Sequence, residues 1–354
     1  MSELPYAERA AKILSFFLTD YTEEELLACT SAAYSEERFS GFAAPLKQVK
    51  DKIAVLELWH GPTSAFKDMA LQLLPHLLMK AIEKTGEQND IVILVATSGD
   101  TGKAALEGFA DVKGTQIIIF YPDDGVSDIQ KRQMITQQGG NVNVIAVHGN
   151  FDDAQSGVKE IFSDENLMEE LKEKGYAFSS ANSINWGRLA PQIVYYFSAY
   201  ADAVKAGHIV AGEEINFSVP TGNFGDILAG YYAKCMGLPV HRLICASNTN
   251  NVLSVFLNSG KYDRRREFHK TISPSMDILI SSNLERLLYQ ITEEDASKVA
   301  NWMKELKEDG FYDVGGKVLA KIQKTFFGTW VDEIETKETI CNVFRDKNYL
   351  LDPH

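Results

Sequence analysis

Ile91-Val92-Ile93-Leu94-Val95-Ala96, followed at once by Thr97-Ser98-Gly99-Asp100-Thr101-Gly102-Lys103, is the stretch on which the fold turns. An unbroken apolar run of this length reads as a strand buried on both faces, and the hydroxyl and glycine residues after it mark a tight turn opening a helix. A strand buried on both faces belongs in a parallel sheet covered by helices. The same grammar recurs at Ile53 to Leu58, Gln116 to Tyr121, Val142 to Val147, Ile215 to Val219 and Leu243 to Ala246, most of them followed by amphipathic stretches. The fold class is therefore α/β, with parallel sheets flanked by helices. Upstream, Ile13, Leu14, Phe17 and Leu18 recur at helical spacing, and Thr22 with Glu25 makes a capping box ahead of Leu26 and Leu27, so residues 1–50 read as a helical N-terminal region. The last hundred residues carry helical patterns such as Glu293 to Leu306, separated by turns at Asp309-Gly310 and Gly315-Gly316.

Composition narrows the function classes. The chain of 354 residues is 45% hydrophobic and 24% charged, values of an ordinary globular protein that exclude a mainly disordered or collagen-like chain. Its net charge is 35 − 49 = −14, which disfavours nucleic acid and anionic membrane surfaces as partners. The run Lys261, Arg264, Arg265, Arg266, His269 and Lys270 lacks interleaved stacking aromatics and reads as a solvated loop. Cys29, Cys235, Cys245 and Cys341 form no Cys-x-x-Cys pair, and the seven histidines form no His-x-x-x-His pair, so no metal site is expected. Cys235 and Cys245 fall on apolar elements and read as core. With no signal-peptide pattern at Met1 to Pro5 and no long uncharged apolar segment, a cytoplasmic protein is expected.

In open α/β sheets ligands bind beyond the carboxyl ends of the strands, so the strand-to-helix junctions are where chemistry is read. The first is His60-Gly61-Pro62-Thr63-Ser64-Ala65-Phe66-Lys67-Asp68, a turn entering a helix with a lysine at its start. The positive end of a helix dipole disfavours an ammonium there and favours the neutral amine an imine-forming lysine needs, although a solvated lysine has the same local sequence. His60 lines the site or simply caps the turn. The second junction, Thr97 to Lys103, gathers hydroxyls and glycine-permitted amides at a helix N-terminus, a site for a small carboxylate or a plain N-cap. Only two residues separate Gly99 from Gly102, so it is no nucleotide-hydrolysing P-loop. The third, Pro220-Thr221-Gly222-Asn223-Phe224-Gly225-Asp226, leads into an apolar helix and is the best phosphate cradle in the chain, its spacing unlike that of a dinucleotide fingerprint.

A reactive lysine and a single phosphate cradle on a parallel sheet are what pyridoxal 5'-phosphate requires. At this point the sequence resembles the threonine synthases, pyridoxal-phosphate enzymes of the tryptophan synthase β-like fold. The resemblance extends over nearly the whole chain. It rests on Leu56 to Thr63 with Phe66-Lys67-Asp68, on Ala96 to Gly102, on Asn182-Ser183-Ile184-Asn185 with Arg188, on Thr221 to Asp226 and on Ser275-Met276-Asp277-Ile278.

The resemblance implies that Lys67 is the Schiff-base lysine and that Gly222, Asn223, Phe224, Gly225 and Asp226 hold the cofactor phosphate. It implies that Thr97, Ser98, Gly99, Asp100 and Thr101 receive the substrate α-carboxylate. Asn182, Ser183 and Arg188 would serve the cofactor ring or the substrate phosphate. The implied reaction converts O-phospho-L-homoserine and water to L-threonine and phosphate. The implied division is 1–50 helical, 51–88 with 186–354 as the larger cofactor-binding domain, and 89–185 as the smaller α/β domain. Family members run on at both ends, which implies a chain truncated there, with the hydroxyl partner of the pyridine nitrogen supplied from beyond His354. Rival readings are a dehydratase or other β-replacing enzyme of the same fold, and a non-catalytic ligand-binding relative.

Overall fold

A computed structural model describes the chain apart from residues 98, 124, 125 and 150 and the side chains of 151 and 152. Among the described residues the strands are β1 (Leu46–Lys50), β2 (Ile53–Leu56), β3 (Asp90–Ala96), β4 (Thr115–Pro122), β5 (Val142–Val147), β6 (Tyr176–Ser180), β7 (Ile215–Pro220), β8 (Val240–Ser247), β9 (Lys261–Asp263), β10 (Phe311–Asp313) and β11 (Phe326–Trp330). They are distributed over two compact units, Met1–Lys47 with Leu56–Asp202, and Gln48–Val55 with Ala203–His354.

The first unit is built on a four-stranded parallel sheet of order β5-β4-β3-β6. The even apolarity of β3 has its reason here, because alternate side chains enter two different cores. Ile91, Ile93 and Val95 pack with Leu71, Leu106, Phe109 and Met134 on one face, while Val92, Leu94 and Ala96 pack with Ala154 and Val158 on the other. The helices Tyr6–Leu14, Glu23–Ala33 and Glu36–Phe39 form the expected helical N-terminus. The capping box is present, with Glu25 N–H donating to Thr22 Oγ1 at 3.2 Å and Thr22 N–H to Glu25 Oε2 at 2.9 Å. These helices are tied to the rest of their unit by Tyr34 Oη donating to Met69 O at 2.6 Å and by Tyr21 Oη donating to Leu77 O at 2.9 Å.

The second unit contains a three-stranded parallel sheet of order β11-β8-β7 and a small antiparallel pair, β9 with β10. β7, the helix Gly225–Cys235 and β8 form one βαβ crossover, so the turn 221–224 lies at the carboxyl end of a sheet strand.

Three expectations are corrected. The run at Ile53 does not enter either parallel sheet, since β2 pairs only with β1. Two strands of the parallel sheets, β6 and β11, escape a periodicity reading because Tyr-Ala-Phe-Ser-Ser and Phe-Phe-Gly-Thr-Trp are short and only partly buried. Cys245 is core, but Cys235 is exposed, being the last residue of its helix, where the chain turns away. The basic run begins as β9 at Lys261 to Asp263 and continues over 264–270 as the expected solvated loop, with Arg265 forking onto Asp263 and Arg266 donating to Asn251.

Candidate active site

In the first unit the turn after β2 folds back onto the helix it feeds. Asp68 is fully buried, and both its oxygens accept from Thr63, at 2.8 Å from the backbone N–H and 2.8 Å from the hydroxyl. Burial pushes its carboxyl up to about 6, with the Thr63 hydrogen bonds pulling the other way. Gly61 has no room for a side chain, because a Cβ there would lie 2.5 Å from the Asp68 Cβ. This packing delivers Lys67 at the N-cap of the helix Asp68–Leu71.

At Lys67 a neighbouring carboxylate matters more than the helix dipole. A helix of four residues has little dipole, and the Asp100 Oδ2 stands 3.8 Å from Lys67 Nζ, giving the ammonium a counter-ion. Asp100 is itself held by Gln130, whose Nε2 donates to Asp100 Oδ1 at 2.6 Å. Gln130 presses so closely on Gly99, which adopts φ +148°, that a Cβ there would meet its amide at 2.4–2.5 Å. No local signal marks Gln130, thirty positions away from its partner.

The second junction is organised from inside. Thr97, 1% exposed, accepts at Oγ1 from Gly99 N–H (3.0 Å) and Gly102 N–H (2.9 Å), so its hydroxyl builds the loop. Thr101, at the first turn of the helix Asp100–Phe109, keeps its N–H and hydroxyl without a protein partner among the described residues. Ser98 lies outside the described residues.

The 182–188 segment divides into scaffold and cation. Asn182 pairs with the backbone of Ala96, donating from Nδ2 to its O at 2.8 Å and accepting from its N–H at 3.3 Å, so this amide closes the end of β3. Ser183 follows in the turn that leads to the helix Trp186–Lys205. On that helix Arg188 is 4% exposed, donates to Ala181 O at 2.8 Å, and has a buried Nε with no partner. Burial pulls its pKa down to about 10. Among the described residues no carboxylate neutralises it. His60 is the turn-stabilising kind of histidine: its Nε2 is 2.7 Å from the buried Glu57 carboxylate, and its ring stacks on Trp59.

The third junction belongs to the second unit. Thr221 N–H continues the β7–β8 ladder to Ala246 O at 2.9 Å, after which the chain breaks away and Phe224 takes a left-handed conformation, φ +66°. Gly222, Phe224 and Gly225 are buried, and among the described residues the N–H groups of 222–225 donate to no protein acceptor. Asp226 turns its carboxylate to Ile227 N–H, 2.8 Å away, so the helix start is capped from within and the preceding amides are left over. Successive buried N–H groups at a helix N-terminus, with no acceptor of their own, fit one phosphate group.

Gly222 faces a wall: a Cβ there would come 2.3 Å from the Ser275 carbonyl oxygen. That wall is fixed by Asp277, whose Oδ1 accepts from Asn248 (2.8 Å), Asn250 (2.9 Å) and Thr271 Oγ1 (2.7 Å) and whose Oδ2 accepts from Thr271 N–H (2.9 Å). The sequence reading gave Ser275 and Asp277 no role of their own.

Comparison with known proteins bears on both halves. Residues 39–324 match the family model described as pyridoxal-phosphate dependent enzyme. The chain is 43% identical over 355 residues to threonine synthase from Pseudomonas aeruginosa, covering 99% of this chain and 72% of that protein. It is 41% identical over 358 residues to threonine synthase-like 1 from Homo sapiens, again over 99% of this chain, but it spans only 48% of that relative, about half its length. Among solved structures, the crystal structure of PLP-bound threonine synthase from Brucella melitensis superposes with a TM-score of 0.89 at 42% identity, covering 99% of this chain and 73% of that one.

Proposed function

We propose, from the premise that this chain belongs to the pyridoxal-phosphate-dependent enzymes and within them to the threonine synthases, that it converts O-phospho-L-homoserine and water to L-threonine and phosphate. Inside the structure the reading is carried by the turn 222–225, whose amides call for an anionic group that none of the described residues supplies. Lys67 would carry the cofactor, and Gly222 to Asp226 would hold its phosphate, the first four through their backbone. When bound, pyridoxal phosphate supplies an electron sink for a carbanion at the substrate Cα.

The remaining work falls to the chain's own groups. Lys67 would move the proton at Cα, and Asp100, 3.8 Å from its Nζ, would steady its ammonium form. Among the described residues of the 97–101 loop, Thr101, whose N–H and hydroxyl have no protein partner there, is the best placed to take the substrate carboxylate. Arg188 is a cation held out of water without a carboxylate partner among the described residues, which suits an anionic substrate. Asn182 supports that region by fixing the end of β3, with Ser183 next to it.

The proposal divides the chain functionally into 1–50, a larger cofactor-binding part 51–88 with 186–354, and a smaller part 89–185 that contains the sheet β5-β4-β3-β6. It places the protein in the cytoplasm; no helix among the described residues is long and apolar enough to cross a membrane. The deciding experiment incubates cofactor-loaded protein with O-phosphohomoserine and assays threonine and phosphate. Equimolar appearance of both is expected. Release of a keto acid with ammonia instead would favour a dehydratase.

A further inference from the structure

We infer that Asn283 is the residue that aims the cofactor-binding amide of Phe224, acting as a positioning residue in the second unit. The inference rests on the reading of 222–225 as the phosphate cradle. Asn283 is fully buried at the N-cap of the helix Leu284–Ile291, sixty residues beyond the cradle. Two of its donors converge on one acceptor: its backbone N–H and its Nδ2 both reach Asn223 O at 3.2 Å. The side chain is oriented without ambiguity, since Arg286 Nη1 donates to Asn283 Oδ1 at 2.7 Å, and a guanidinium can only donate. With Oδ1 committed to Arg286, Nδ2 must face Asn223.

The consequence follows from the geometry of a single peptide unit. Asn223 C=O and Phe224 N–H belong to the same planar trans peptide and therefore point in opposite directions. Holding the carbonyl on Asn283 turns the N–H the other way, where it meets no protein acceptor among the described residues. This orientation is not what Phe224 prefers locally. A bulky residue at φ +66° is an outlier that persists only where its surroundings impose it. Rotation of the 223–224 peptide would relieve that conformation and take one donor out of the cradle. Asn283 is the group that opposes the rotation.

The test separates the phosphate from the rest of the ligand. Pyridoxal and pyridoxal phosphate both react with a lysine, and only the second has the group the cradle would hold. Asn283→Asp keeps the size of the side chain and an oxygen for Arg286 but replaces the Nδ2 donor by an acceptor facing Asn223 O. Titration by absorbance should show the preference for pyridoxal phosphate over pyridoxal falling about 3- to 10-fold, the range for one lost hydrogen bond, with pyridoxal binding unchanged. The phosphorus NMR signal of the bound cofactor should move toward that of free cofactor. Asn283→Ser, which returns a donor, should recover part of the preference, and Asn283→Ala, which removes the donor without adding an acceptor, carries the test if the aspartate variant is recovered unfolded. A wild-type protein with no preference for the phosphorylated ligand would overturn the cradle reading itself. A wild-type preference left intact in a folded Asn283→Asp or Asn283→Ala protein would overturn the role of Asn283 alone.

Discussion

Replacing Gly222 by alanine would set a Cβ 2.3 Å from the Ser275 carbonyl oxygen and 3.5 Å from the Met276 Cα. A carbon and a carbonyl oxygen rest at roughly 3.3 Å or more, so one side must retreat by about 1 Å. Backbone on both sides makes that costly. Ser275 and Met276 sit in the short helical turn Pro274–Met276, and Asp277 directly after it is held by the four hydrogen bonds from Asn248, Asn250 and Thr271. On the other side, Thr221 is hydrogen-bonded into the β7–β8 ladder. Forced overpacking of this kind costs about 1–3 kcal/mol. A chain of this size should then lose roughly 1–4 °C in Tm. Because the displaced backbone is the cradle, affinity for pyridoxal phosphate should fall about tenfold as well. Differential scanning calorimetry and an absorbance titration measure the two effects. Gly316→Ala is the matched control, since it lies in the helix Gly315–Ile322 with nothing within 4 Å of the added Cβ, and alanine there should leave Tm unchanged or raise it. A Gly222→Ala protein with the wild-type Tm and cofactor affinity would refute both the tight wall and its link to the cradle.

Other outcomes are expected elsewhere in the chain. Borohydride reduction of the cofactor-treated protein followed by peptide mapping should label Lys67 and no other lysine; a label elsewhere would remove it from the centre of the chemistry. Asp68 holds its proton to about pH 6 in the folded protein against 3.8 ordinarily, so the folded chain binds more protons between those values and its stability is eroded as pH rises through that window. Asp68→Asn should therefore gain on the wild type progressively from pH 4 to pH 7, by about 2–3 kcal/mol, in urea unfolding at a series of pH values, and a gap independent of pH would contradict the assignment. Thr22→Ala removes one half of the capping box and should cost about 1 kcal/mol without affecting cofactor binding. Arg188→Gln should raise KM for the phosphorylated substrate at least tenfold with the cofactor still bound; an unchanged KM would show that this buried cation serves the fold alone.

Features that depend on near neighbours along the chain were legible from the residues alone. The unalternating apolarity of Ile91 to Ala96 demands cover on both faces, and the structure supplies it from two separate cores. Thr22 and Glu25 are three positions apart and need only a helix between them to form their box. The three strand-to-helix junctions were legible for the same reason, because glycines and hydroxyls at a strand end dictate a turn whatever packs around it. The roles within those junctions were decided only by tertiary structure. Thr97 reads as a ligand group and is instead spent on its own loop, while Lys67 meets Asp100 because the helices Asp68–Leu71 and Asp100–Phe109 pack in one unit. Gln130 and Asn283 carry no mark in the sequence, since each acts on a partner that docking brings close from 30 and 60 residues away. A turn is fixed by the torsions its residues allow, which are local; the direction of a side-chain hydrogen bond is fixed by whichever donor or acceptor the packing of distant elements leaves opposite it.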